Sequence, residues 1–288
     1  MIVVLGSGFG LYGHVAALAP TAQAVAAPAR YLERAAARPE LVDVISEVDW
    51  VADEWSAIAK AEITCLARRP ADNQALVHHM LTAGVGGTLV LEKPIAPTWQ
   101  EAQRLEQAMT TAGRRWRTPY LLLYCDWFQF LVHGISQGEQ VTVHWHHCQS
   151  PQVRSWKGQE AEGGGAINFY FIHWLAVLEA LLPSSRARYS HKVAGNTEYA
   201  RLIAAEGGAE LDVAFELGDK IGFEIKVSGR LVYNAQTPFG PVPRAGLRDP
   251  RIPMLQRFYQ DVCSNGNDLY DNDFQLNVTR RWRDICDD

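Results

Sequence analysis

Four short stretches of this chain carry residue types that can do chemistry. The first is Gly6-Ser7-Gly8-Phe9-Gly10, which follows the apolar run Ile2–Leu5 and precedes a helix-forming stretch containing His14. Gly6 permits a tight turn. Gly8 lets a pyrophosphate approach the backbone N–H groups at a helix start. The third glycine of this fingerprint belongs at position 11, where the chain has Leu11. The others are Ala67-Arg68-Arg69-Pro70, Glu92-Lys93-Pro94 and Tyr124-Cys125-Asp126, each after an apolar run. In an open α/β sheet, ligands bind outside the carboxyl ends of the strands. Lys93 would place an ammonium at the mouth of such a site, with Pro94 fixing the local backbone.

A carboxylate at the end of the second strand would bind a ribose hydroxyl. That region reads Ala26-Ala27-Pro28-Ala29-Arg30 and has none. Arg30 could meet a 2′-phosphate or stay solvated, so the expected cofactor is NAD or NADP.

The elements needed to position these loops are legible in the pattern. Runs at Ile2–Leu5, Gln23–Ala27, Glu62–Leu66, Thr88–Leu91 and Tyr120–Tyr124 read as strands. Between them, Asp72–Ala83 and Thr98–Ala112 read as helices, Thr98 as an N-cap and Asn73 as a cap of its helix. Strands alternating with helices imply a doubly wound parallel sheet. The later half differs. Val141–Cys148 alternates, the loop Glu162–Gly165 opens a helix to about Leu182, and runs from Arg188 to Tyr233 are separated by short turns. That order implies an open, largely antiparallel sheet. The expected class is α/β: residues 1–123 a doubly wound parallel-sheet domain, residues 124–288 an α+β domain with an open, largely antiparallel sheet.

Composition excludes several classes. Of 288 residues, 48% are hydrophobic, too many for a disordered chain. A net charge of −5 argues against a nucleic-acid partner. No secretory signal or membrane span is expected, and five scattered cysteines without a CxxC pair suit a reduced, cytoplasmic protein. His144, His146 and Cys148 alternate on one strand face, but neighbours there sit roughly 7 Å apart. That spacing is too wide for compact tetrahedral coordination, so no metal is expected.

Three segments together resemble the glucose–fructose oxidoreductase / inositol dehydrogenase (Gfo/Idh/MocA) family over essentially the whole length. They are Gly6–Gly10 with His14, Glu92-Lys93-Pro94-Ile95-Ala96, and Gly163-Gly164-Gly165-Ala166 with His173. The resemblance implies a Rossmann dinucleotide-binding domain over residues 1–123 and a substrate-binding and oligomerisation α+β domain over residues 124–288. It implies NAD(P)-dependent hydride transfer, commonly on a sugar or sugar derivative, a cis Lys93–Pro94 bond, and dimers or tetramers. It implies Lys93 and His173 as catalytic groups. Dinucleotide contacts are expected from Gly6, Gly8, Phe9, Gly10, His14, Arg30, Arg68, Pro70, Glu92, Lys93 and Pro94. Substrate contacts are expected from Tyr124, Asp126, Trp156, Lys157, Phe169 and Tyr170.

The chain departs from the family at several positions. Phe169 stands where an aspartate is usual, Phe171 replaces a glycine, Ala176 an aspartate, and Arg68-Arg69-Pro70 a Thr-Pro. Phe169 is four residues from His173, which on an α-helix puts both on one face. A phenyl ring cannot orient an imidazole, and Phe169 with Phe171 suggests a more apolar pocket. Histidine, ordinarily titrating near about 6.5, suits proton exchange with a substrate oxygen. Two alternatives therefore stand beside a sugar or nucleotide-sugar oxidoreductase: a reductase of an imine or other non-sugar carbonyl, and a non-catalytic dinucleotide-binding scaffold or sensor.

Overall fold

The structure is a computed structural model and describes residues 1–21, 23–148, 156–241, 246–264 and 270–287. The chain forms two compact units: Met1–Pro119 with Pro243–Leu276, and Tyr120–Val242 with Asn277–Asp288.

The first unit alternates strands and helices. In chain order these are β1 (Ile2–Leu5), a π-helical turn at Gly10–Val15 running into α1 (Ala16–Leu18), β2 (Val25–Pro28), α2 (Leu32–Ala36), β3 (Val48–Val51), α3 (Glu54–Lys60), β4 (Ile63–Leu66), α4 (Pro70–Ala83), β5 (Thr88–Leu91), α5 (Trp99–Thr111) and β6 (Trp116–Arg117). The strands lie in the order β3-β2-β1-β4-β5-β6, all parallel. β1, β2 and β4 are buried at every residue, as largely apolar strands covered on both faces should be, and the one buried hydroxyl, Thr64 of β4, donates to the Gly86 carbonyl. α4 starts on Pro70, whose missing N–H costs nothing in a first turn, and stops at Gly84 with φ +68°. Thr98 caps α5 by accepting the Glu101 N–H at 3.3 Å. This order puts β1, β4 and β5 side by side, so the loops after Leu5, Leu66 and Leu91 line one edge of the sheet.

Two features at the end of this sheet and beyond it differ from the sequence expectation. The apolar run Leu121–Tyr124 is a 3₁₀ helix, and the sixth strand is Trp116–Arg117. Pro119, two residues beyond the strand, offers no N–H to extend a ladder. Residues 243–276, beyond the expected boundary at 123/124, belong with the first unit. Their helix Ile252–Cys263 buries Leu255, Phe258, Tyr259 and Val262 and packs on α1, where Gln256 donates to the Ala17 carbonyl at 3.3 Å.

The second unit contains α6 (Phe128–Ser136), β7 (Gln140–Cys148), α7 (Ile172–Leu181), β8 (Ala187–Ala194), β9 (Thr197–Glu206), β10 (Ala209–Gly218), β11 (Gly222–Val227) and β12 (Arg230–Ala235). Its sheet runs β12-β11-β7-β10-β9-β8; β7 and β10 are parallel and every other pair is antiparallel. Burial alternates strictly along β10, with Leu211, Val213, Phe215 and Leu217 inward. α6 and the helical turn before α7 pack against this sheet. The stretch Glu160–Leu181 is long and apolar enough to cross a membrane by composition, but its most apolar part is 78% buried and is a core helix of this unit. Arg281 reaches it from the C-terminal helix Asn272–Asp287, meeting Glu179 at 2.6 Å with both side chains buried.

Candidate functional site

The glycine loop of the first unit has one position with no room and one with open space. A Cβ on Gly6 would fall 2.3 Å from the Ala67 carbonyl oxygen, so the turn after β1 can close against the turn after β4 only without a side chain. Gly8 is exposed, and a Cβ there would meet nothing within 4 Å. The Leu11 N–H bonds back to the Gly8 carbonyl at 2.9 Å. A backbone with an open approach and a tight turn beneath it fits a dinucleotide pyrophosphate. Leu11, in the place of a third glycine, is buried in the core and does not obstruct that approach. Gly10 opens the helix, and Phe9 lies half-buried with Arg251 above its ring, guanidinium carbon 4.1 Å from the centroid. Arg251 is itself gripped by Asp249 through two bonds of 2.8 and 2.7 Å.

His14 is placed differently from the expectation. Its side chain is wholly buried, with Nδ1 2.7 Å from the Tyr259 hydroxyl and Nε2 2.9 Å from Glu92 Oε1. A buried ring with both nitrogens engaged cannot touch a ligand; it anchors the loop that carries Glu92. Burial opposes an imidazolium here, but Cys65 and Glu92 outweigh it and raise the pKa to about 10. Glu92 is thereby held in place, next to the half-buried Lys93 and the buried Pro94, and the Lys93–Pro94 bond is cis.

The turn after β4 is fixed by Asn73. Rather than capping α4 from its start, Asn73 sits inside the helix, buried, where it accepts the Arg68 N–H at 3.2 Å and donates to the Leu66 carbonyl at 3.1 Å. Arg68 turns to Glu54 of α3, which also binds Arg30. Pro70 is buried at the first turn of α4. The fold therefore gathers Gly6, Gly8, Phe9, Gly10, Arg68, Glu92, Lys93 and Pro94 on the loops at one sheet edge, with Arg30 just beyond β2.

In the second unit, the glycine run is explained by space and backbone angle. A Cβ on Gly164 would fall 2.3 Å from the Trp156 carbonyl oxygen, and Gly165 takes φ +82°. The following helical turn is closed by Glu198, whose carboxylate accepts the Ala166 N–H at 2.9 Å. Trp156, Lys157, Phe169 and Tyr170 come together: the Trp156 and Phe169 rings meet edge to face at 5.4 Å, Lys157 Nζ lies 5.1 Å from the Phe169 centroid, and Tyr170 is 4.9 Å from it.

His173 is buried at the start of α7, its ring 6.3 Å from both Tyr120 and Phe239. Residues 166–171 are π-helical, so the simple four-residue alignment of Phe169 with His173 does not apply. Phe171 is fully buried against Phe215 and belongs to the core, not to a pocket wall. Tyr124 is half-buried and Asp126 exposed. Burial first, then Cys125 and Asp126, raise the pKa of the Tyr233 phenol. His144 and His146 point to the outer face of the sheet, lining an open cavity of about 580 Å³ with Phe223, Glu224 and Asn234. None of the sequence-predicted site residues lines it. Among the described residues, no group of three or more His, Cys, Asp or Glu is placed to hold a metal ion.

Sequence signals missed Tyr259, Asp249 and Arg251. They lie in the returning segment, far along the chain from the loops they brace, and no motif marks them.

Residues 1–120 match the model of the oxidoreductase family with an NAD-binding Rossmann fold, Gfo/Idh/MocA. No curated protein matches the sequence. Solved structures match the fold along nearly all of the chain. A dehydrogenase from Chromobacterium violaceum has a TM-score of 0.72 at 15% identity, covering 99% of this chain and 94% of that one. The WlbA dehydrogenase from Thermus thermophilus, solved with NAD and UDP-GlcNAcA, has a TM-score of 0.67 at 15% identity, covering 98% and 92%. Biliverdin reductase from Synechocystis sp. PCC 6803, solved with biliverdin and NADP+, has a TM-score of 0.65 at 15% identity, covering 99% and 96%. At these identities the likeness is one of fold. Residues 1–120, with their glycine loop and Glu92-Lys93-Pro94 turn, are thus an NAD-binding Rossmann domain of the Gfo/Idh/MocA oxidoreductase type.

Proposed function

We propose that this protein transfers hydride between a nicotinamide dinucleotide and a small polar substrate, a sugar or nucleotide-sugar, with Lys93 and His173 as its catalytic groups. The observation that carries this reading is the loop after β5. Lys93 follows Glu92, which the buried His14 pins at 2.9 Å, at the sheet edge shared with the open glycine loop. When bound, the nicotinamide supplies or accepts the hydride. Gly6, Gly8, Phe9 and Gly10 receive the dinucleotide backbone. Lys93 holds the substrate oxygen and stabilises the negative charge that develops on it, as a preorganised cation does. His173 takes or returns the hydroxyl proton.

Trp156, Phe169 and Tyr170 offer ring faces to the apolar side of a sugar, with the Lys157 ammonium beside them. The WlbA neighbour carries a nucleotide-sugar acid, which is consistent with this class. Exposed Val193 and Leu231 on the edge strands of the second sheet, with exposed Ile221 just before β11, suit self-association into a homo-oligomer. Five free cysteines suit a reducing, cytoplasmic setting.

A second reading rests on Phe169. It leaves the usual aspartate position without a carboxylate and adds a ring to an aromatic cluster, which favours an imine or another less polar acceptor. The biliverdin reductase neighbour shows that this fold takes non-sugar substrates. A panel of sugars, nucleotide-sugars, imines and carbonyls, followed at the nicotinamide absorbance, separates the readings. Turnover confined to sugar derivatives supports the first, and turnover confined to imines or other carbonyls overturns it. Dinucleotide binding without turnover on any of them leaves a scaffold or sensor.

A further inference from the structure

The adenosine end of the dinucleotide site carries more positive charge than an NAD site needs. In doubly wound folds the residue just beyond the second strand meets the ribose 2′ position. A carboxylate there bonds the 2′-hydroxyl of NAD, whereas an arginine accommodates the 2′-phosphate of NADP. β2 ends at Pro28, and Ala29 and Arg30 follow. No carboxylate occurs between Val25 and Leu32.

Arg30 does not stand alone. Arg34, four residues on, reaches the glycine loop and donates to the Ser7 hydroxyl at 2.7 Å. Its bonding partner is thus neutral, and it lies where the dinucleotide loop meets α2. Arg68, from the turn after β4, meets Arg30 across the single carboxylate of Glu54. The Arg30–Glu54–Arg68 group therefore keeps one net positive charge, and Arg34 adds a second. The guanidiniums are reachable, with 54% of the Arg30 side chain and 22% of the Arg68 side chain exposed. Arg68 Nε is buried and has no acceptor among the described residues. The Arg30 guanidinium also lies 4.8 Å from the Tyr31 ring centroid, which fixes a planar fork at the strand end.

Two like charges four residues apart on a helical stretch ordinarily repel. Glu54, serving two arginines, answers part of this. A phosphate dianion would answer the rest, since guanidinium forks match phosphate oxygens. The ribose hydroxyl of NAD would instead compete for a carboxylate that is already engaged twice.

We infer that the protein takes NADP(H) in preference to NAD(H), with Arg30 and Arg34 holding the 2′-phosphate and Arg68 supporting them. The inference rests on the dinucleotide site described above and concerns only its adenosine end, so it is independent of substrate and of Lys93.

The test is direct binding, by calorimetry, of NADPH, NADH, 2′,5′-ADP and 5′-AMP to the purified full chain. NADPH should bind at least ~10-fold more tightly than NADH, and 2′,5′-ADP more tightly than 5′-AMP by a similar factor, as expected for charge-assisted bonds to a phosphate. The NADPH preference should shrink as salt rises. Arg30→Ala and Arg34→Ala should each weaken NADPH by about 10-fold and weaken NADH by much less, with an unchanged melting temperature as the control for folding. Equal affinities, tighter NADH, or NADPH binding that survives the Arg30→Ala/Arg34→Ala double substitution would overturn the inference. Binding of neither dinucleotide would instead sink the dinucleotide reading, and this inference with it.

Discussion

His14 Nε2 lies 2.9 Å from Glu92 Oε1, although 78 positions separate the two residues in the chain. The pair joins the helix of the glycine loop to the turn carrying Lys93, and Tyr259 closes the far side of the imidazole at 2.7 Å. The helix of the glycine loop and the Lys93 turn are thus braced by one ion pair whose imidazole is wholly buried.

That pair makes stability depend on pH in a defined direction. The folded His14 pKa is raised from the ordinary 6.5 to about 10, so the folded state binds the extra proton between those values. The contribution is full below pH 6.5 and is lost as pH rises through about 10. Urea unfolding at pH 6 to 10 should show the stability difference between the native chain and His14→Gln shrinking as pH rises. A difference that stays constant or grows would contradict this protonation.

The two glycines should respond oppositely in folding and alike in binding. Gly6→Ala puts a methyl against the Ala67 carbonyl oxygen and should both destabilise the protein and abolish dinucleotide binding. Gly8→Ala enters open space and should leave the melting temperature nearly unchanged. It should still weaken dinucleotide binding by about 10-fold or more, because the methyl occupies the pyrophosphate approach. Thermal denaturation and calorimetry read the two effects, and a Gly8→Ala protein that binds normally would remove the pyrophosphate from this loop.

Glu179 and Arg281 tie α7, which carries His173, to the C-terminal helix. Arg281 also donates to the carbonyls of Leu182 and Pro183 at 3.1 and 2.9 Å. Glu179→Ala strands a buried guanidinium, and such losses cost ~3–5 kcal/mol. Urea titration should find that cost, while a loss of less than about 1 kcal/mol would match an exposed pair and contradict the burial.

His173→Gln should lower kcat by ~10²–10⁴-fold, the usual contribution of a positioned acid or base. Dinucleotide affinity should hold, since none of the glycine-loop residues changes. Steady-state kinetics on whichever panel compound is turned over makes the measurement. A kcat within about 3-fold of the native value would make His173 a core residue.

Much of the fold was legible because parallel strands announce themselves as short apolar runs. Ile2–Leu5, Glu62–Leu66 and Thr88–Leu91 are visible in this way, and Thr98 marks a helix start by its chemistry. Val48–Val51 was not visible, because its Asp49 and Trp50 interrupt the run. Local pattern misled at Tyr120–Tyr124, where the sheet was already complete. The π-helical turn at 166–171 also escaped, because hydrophobic periodicity does not separate it from an α-helix, and with it went the expected alignment of Phe169 and His173. The loops of the candidate site could be read from Gly6, Gly8 and Glu92-Lys93-Pro94. What braces them could not: Tyr259 and Arg251 act through tertiary packing, which leaves no spacing in the sequence.

The most direct test of the account is turnover by Lys93→Ala beside the native protein, with NADPH and NADH affinities measured on both. The account predicts that the native protein turns over at least one panel compound. Lys93→Ala should then lose ~100-fold or more in kcat with dinucleotide affinity changed less than about 3-fold, the signature of a charge needed only as the reaction proceeds. Unchanged turnover without the ammonium, or a native protein inert toward every compound, would contradict it.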